Sequence, residues 1–220
     1  MNQIQVVNQI KKTGLALACI LYPLFAGFAF AVHPHLESLQ IGTPIAEKIV
    51  EFHHNGLLHT GHLLMLAGVP MLICIAVHFM NLLNEKAPWW GLIGGSMAVL
   101  GAIILAADKA ALCLVPSALD TLTQAQFQSM LPGIQAMFTY QGGLWVLHLL
   151  PLLPLGFMVL SIGLLRAKAM PLSINLPILI GSILMFNPDI DLIGLIATAC
   201  LALGFFPYAY QLLRRTTSKE

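Results

Sequence analysis

Residues 14–32 read GLALACILYPLFAGFAFAV, nineteen consecutive positions without a charged side chain. About 20 apolar residues in a helix cross the hydrocarbon core of a bilayer. Lys11 and Lys12 precede the run, and Ala29-Phe30-Ala31 has the small-residue spacing of a signal-peptidase site. The apolar core of a signal peptide is only about 7–15 residues long. This run exceeds that, so it is read as an uncleaved first span.

Working outward, five further apolar stretches follow, at about 57–80, 89–107, 143–165, 173–187 and 190–212, each near the length a span requires. The fifth is short and contains Pro177. Composition agrees. The chain has 220 residues, 58% hydrophobic and 9% charged, with mean hydropathy +0.86. A soluble domain carries about 25% charged residues, so lipid must solvate much of this surface. The expected fold is all-α: one polytopic bundle of six transmembrane helices over residues 1–220, with short interfacial helices on its outer side. Its first partner is therefore the lipid bilayer. A net charge of +1 and the absence of a basic patch exclude nucleic acid as a partner. Cys19, Cys74, Cys113 and Cys200 are widely spaced and form no CxxC, so neither a disulfide framework nor a thiolate metal site is expected.

Positive charge sets the expected orientation. Lys11, Lys12, Lys86, Arg166, Lys168, Arg214, Arg215 and Lys219 fall on one side, and only Lys48 and Lys109 on the other. The basic side is read as cytoplasmic, with both termini there and the chain in the plasma membrane. Acids and histidines are biased the opposite way: Glu37, Glu47, Glu51, Asp108, Asp120, Asp189 and Asp191 are outer, as are all histidines except His78.

The outer connections carry helix signals. Thr43-Pro44 is a capping residue followed by proline at a first helical position, and Ile45, Ile49 and Phe52 then share a face. A second interfacial helix is expected over about 121–139, broken at Pro132-Gly133.

The second span opens His53-His54-Asn-Gly-Leu-Leu-His59-Thr-Gly-His62. His59 and His62, three apart on a helix, project from one side. His148 lies at matching depth in the fourth span, and Asp108 closes the third, whose Gly94 and Gly101 mark a face for close helix packing. Ionisable groups within spans face the bundle interior or a water cavity. The expected site is therefore His59, His62, Asp108 and His148 at the outer end, with Asp189 as an outlying fifth member. His33, His35, His53 and His54 read as solvated loop or headgroup-level residues, and His78 as an interface group.

Three chemistries suit such a site. His59, His62 and His148 form a ligand set for a transition metal, zinc or iron. Asp108 then shuttles a proton, and the activity would be hydrolysis of a lipid-like ester or amide entering from the outer leaflet. Alternatively, His62 and His148 are the axial ligands of one haem b, and the protein transfers electrons. In the third reading the outer groups line the vestibule of a transporter or channel, or form a partner surface in a membrane complex. No HExxH, Gly-x-Ser-x-Gly or P-loop is present to decide among them.

Overall fold

The computed structural model describes residues 3–34, 36, 44–187 and 190–217, the last three of these by backbone only. Among the described residues every regular element is helical. The helices are α1 (Gln3–Ala31), α2 (Ile45–Phe52), α3 (Gly56–Leu83), α4 (Pro88–Lys109), α5 (Val115–Ala118), α6 (Gln124–Phe138), α7 (Leu152–Arg166), α8 (Leu172–Leu184) and α9 (Asp191–Thr217).

Five segments are long and apolar enough to cross a membrane: Gln3–Ala31, Gly56–Leu83, Pro88–Thr121, Gly142–Arg166 and Asp191–Arg214. The expected fifth span is α8, with only 13 residues. At 1.5 Å per residue it covers about 20 Å, short of a hydrocarbon core of about 30 Å. Among the described residues, five segments thus have the length and composition of spans, and the sixth apolar helix is a short one. Leucines, isoleucines and phenylalanines such as Leu24, Leu63, Leu100, Leu203 and Phe206 remain exposed on the outward faces. In water such a surface would drive aggregation, and in lipid it is solvated.

Two spans differ in form from their sequence reading. The third does not end near residue 107. It continues through a π-helical turn at Ala110–Leu114, then α5, then a 3₁₀ turn at Leu119–Thr121. The fourth opens as a 3₁₀ helix, Gly142–Leu149, before α7 begins. Both departures change the angular phase of the residues that follow, because 3₁₀ and π turns hold about 3 residues and more than 3.6 residues respectively. Periodicity in sequence assumes one pitch and misses both.

The apolar helices close into a ring in the order α1, α3, α4, α7, α8, α9 and back to α1, each packed on the next. The α4–α7 seam is the tightest. Gly94 and Ala98 face Gly156 and Gly101 faces Leu153, so a Cβ at Gly101 would strike the backbone of Leu153, as one at Gly156 would strike that of Ala98. The expected small-residue face is thus buried, and Asp108 is buried with it. Asn175 of α8 fastens to α7 by donating from Nδ2 to the carbonyl of Ser161 at 2.8 Å. At the end opposite the histidine-rich connections, the Arg166 guanidinium lies 4.8 Å from the Trp90 ring centroid. Inside the ring is a cavity of about 500 Å³.

The two interfacial helices pack on each other. Ile49 of α2 meets Phe127 and Ile134 of α6 in a small separate core. Thr43, the expected cap of α2, lies outside the described residues, as do His35 and Asp189. Thr123 caps α6 in a reciprocal capping box with Gln126. The expected break at Pro132-Gly133 is absent: α6 runs straight through both. Gln128, whose carbonyl loses its donor to the proline ring, is exposed, so water replaces the missing bond. The helix then ends in a Schellman turn, with Tyr140 N–H donating to Met137 and Gln141 N–H to Ala136. Glycine is usual at the left-handed position of such a turn. Here it is Tyr140, at φ +55°, a conformation costing a non-glycine residue roughly 1–2 kcal/mol.

Candidate functional site

The end of the bundle carrying α2 and α6 holds two separate assemblies of imidazole and carboxylate. Both start on the first turns of α3. Asn55 caps this helix, its Oδ1 accepting from the Leu58 N–H, which fixes the helical phase at which His59 and His62 emerge.

The first assembly gathers on Asp120. His53 donates from Nδ1 to Asp120 Oδ1 at 3.0 Å, and His59 donates from Nε2 to Oδ2 at 3.0 Å. The backbone N–H of His54 donates to Oδ1, also at 3.0 Å. His54 sits in the left-handed region, φ +59°, which turns the chain between α2 and α3 and aims this N–H at the carboxylate. The His53 ring is stacked 3.8 Å from Phe127 of α6 on one side and lies 3.9 Å from the His54 ring. Metal-ligating atoms of His53, His54 and Asp120 all lie within 4.8 Å of one another. The hydrogen bonds also fix proton positions. With both imidazoles neutral, His53 Nε2 and His59 Nδ1 are bare acceptors. Each is buried and has no hydrogen-bond partner among the described residues.

The second assembly is a chain. His33, just past α1, places Nδ1 2.9 Å from Asp191 Oδ1 at the start of α9. Its Nε2 is 3.1 Å from Nε2 of His62. Asp191 accepts the Nδ1 proton of His33, and the two Nε2 atoms share the second bond. His62 Nδ1 is buried and has no hydrogen-bond partner among the described residues. Phe52 packs against the His62 ring at 5.2 Å and separates this chain from His53.

The four residues expected to converge are placed as follows. His59 joins Asp120 and His62 joins His33, so two rings three residues apart on one helix serve different carboxylates. Asp108 is buried and accepts from Lys109 Nζ at 2.9 Å. His148 is exposed on the 3₁₀ helix, its ring edge-on to Tyr140 at 5.0 Å. His53 and His33, read from sequence as solvated, are instead bonded to acids, whereas His54 is exposed as expected and meets Asp120 through its backbone N–H. His78, near the other end, is bonded to the Tyr208 hydroxyl across α3 and α9. The residues the sequence reading missed are Asp120, His33 and Asp191. One signal did point to Asp120: it is the sole acid between Lys109 and Gly142, in the connection facing a histidine-rich helix start.

Comparison with known proteins finds no matching family, no matching curated protein and no matching solved structure. Function has to be argued from the geometry.

Proposed function

We propose that this integral membrane protein binds one divalent transition metal at its histidine-rich end. His53, His54 and Asp120 are the ligands, and His59 holds the second oxygen of Asp120. The supporting observation is the single carboxylate drawing three donors, from His53, His54 and His59, around the α2–α3 junction. Two ligands of a tetrahedral zinc at about 2.0–2.1 Å from the metal stand roughly 3.3 Å from each other. His53 Nδ1 and Asp120 Oδ1 are already 3.0 Å apart, so a metal replaces the shared proton with little movement. Imidazole plus carboxylate favours zinc or iron over calcium or magnesium, which prefer all-oxygen shells. His59 acts as the outer partner that orients a ligating carboxylate.

Three protein ligands would leave zinc open to one water, and zinc lowers the pKa of its water to near 7. A zinc held by His53, His54 and Asp120 would therefore supply a nucleophile for the ester or amide linkages of lipid-like molecules. The proposed ligands thus differ from the His59, His62 and His148 set expected from sequence, and Asp108, expected as its proton shuttle, is paired with Lys109. The excess of lysine and arginine at the other end supports placing this site on the non-cytoplasmic side.

Calorimetric titration of the purified, chelator-treated chain with zinc tests the reading. One zinc per chain, abolished by Asp120→Asn and by His53→Ala, is expected. Less than one zinc per ten chains, or equal binding by both variants, would refute it.

A further inference from the structure

We propose that the cavity enclosed by the ring is a binding site for a single-chain neutral lipid with a hydroxyl head, held head-first between Lys109, Tyr140 and the His33–Asp191 pair. This site is separate from the metal site: none of His53, His54, His59 or Asp120 lines the cavity.

The argument starts from shape. Asp191 and Phe205 both line the cavity and lie fourteen residues apart on α9, roughly 20 Å along a helix. A volume of about 500 Å³ over that length accommodates one extended alkyl chain. Its deep walls are apolar, with Met65, Leu72, Phe157 and Leu201 drawn from three helices. A long apolar slot with a few convergent polar groups is the usual form of a small-molecule site.

The charged groups of the wall lie at one end, while Tyr22 and Ser182 line it farther in. Lys109, Tyr140, His33, Asn187 and Asp191 all line the cavity, and all stand at helix ends on the histidine-rich side of the bundle. Their charges select the head. Asp108 already matches the charge of Lys109, and Asp191 adds a negative one beside His33. A carboxylate or phosphate head therefore meets no surplus positive charge. A hydroxyl fits both partners, accepting from an ammonium N–H of Lys109 and donating to the second oxygen of Asp191. Tyr140 is an independent pointer. It occupies a left-handed turn position at φ +55° where glycine is free of strain, and its ring lies at the cavity wall. Residues held in such conformations cluster at ligand sites.

The test uses the full chain in phosphatidylcholine nanodiscs with a photoactivatable 1-monoacylglycerol carrying a diazirine partway along its chain. Crosslinks are mapped by peptide mass spectrometry. Labelling is expected on the inward residues Leu201 and Phe205 of α9 and on Met65 and Phe157. Label confined to the outward residues Leu203 and Phe206 of the same helix would overturn the proposal. Unlabelled monooleoylglycerol should suppress inward labelling, while oleate at the same mole fraction should not; equal competition by oleate would overturn the head assignment. Asp191→Asn and Tyr140→Phe should each lower inward labelling about tenfold or more. Met65→Trp, which fills the slot without touching the head groups, should remove it and keeps the test decisive if Asp191→Asn fails to fold. Inward labelling unchanged by all three substitutions would also overturn the proposal. Asp120→Asn should leave labelling unaltered.

Discussion

The two imidazole–carboxylate assemblies use the same side chains in different geometries. Around Asp120 the bonds fan in: two imidazoles and a backbone N–H converge on one carboxylate, with a third ring nearby. At Asp191 they run in line, carboxylate to His33 to His62. A fan can exchange its protons for a cation, because several donors already point at one spot. A line ties three helices together and leaves no common point for an ion. His59 and His62 start one turn apart on α3, yet each belongs to a different geometry. Having histidine at a given depth is therefore not what makes a ligand. Having a carboxylate at the focus is.

That contrast can be broken by substitution. The largest effect is expected at the two acids. Asp120→Asn should weaken zinc binding by at least about 100-fold, since losing a residue bound to the metal should cost more than the roughly 10–100-fold typical of residues that only orient a ligand. Asp191→Asn should leave zinc affinity within about threefold, because sites without shared partners behave additively. Isothermal titration of both variants checks this, and equal losses would dissolve the distinction.

Next come the two histidines. His59→Gln should weaken zinc by about 10–100-fold through the freed Asp120 oxygen, and His62→Gln should not. The same titration, with melting temperature as a folding control, reads the difference.

Acid should then separate loading from folding. Zinc competes with protons for imidazole, whose ordinary pKa is about 6.5. Affinity should therefore be level above about pH 7 and fall below about pH 6, with release complete before the helices unfold. Zinc retention after dialysis across that range, beside circular dichroism, is the measurement. Retention undiminished well below that range would point to ligands other than histidine.

The smallest effect concerns the buttress behind His53. Thr123→Ala removes the α6 cap and should cost about 1 kcal/mol, seen as a modest drop in melting temperature, with zinc affinity changed only slightly through Phe127.

Membrane residence, the helical spans and the buried Gly94–Gly101 face were legible because lipid imposes long uncharged runs and close packing needs small residues. The two interfacial helices were legible too, from Ile45, Ile49 and Phe52 and from the apolar spacing of 121–139. The site was only half legible. Depth along the membrane normal can be counted from a span boundary, but azimuth cannot be, so His148 and His62 were aligned in height without being neighbours in the ring. The π turn after Lys109 and the 3₁₀ start of the fourth span moved Asp120 and His148 by amounts no single helical period gives. Asp120 and His33 were discounted because they lie in connections, where polar residues are ordinary. It was the fold of α2 and α6 over the bundle that turned those connections into a site.

X-ray absorption at the zinc edge of the zinc-loaded chain tests the central claim most directly. Convergence on Asp120 predicts a nitrogen and oxygen shell at about 2.0–2.1 Å, with outer-shell scattering from two imidazoles that is lost in His53→Ala. A sulfur shell near 2.3 Å, or a shell of oxygens without imidazole scattering, would contradict it.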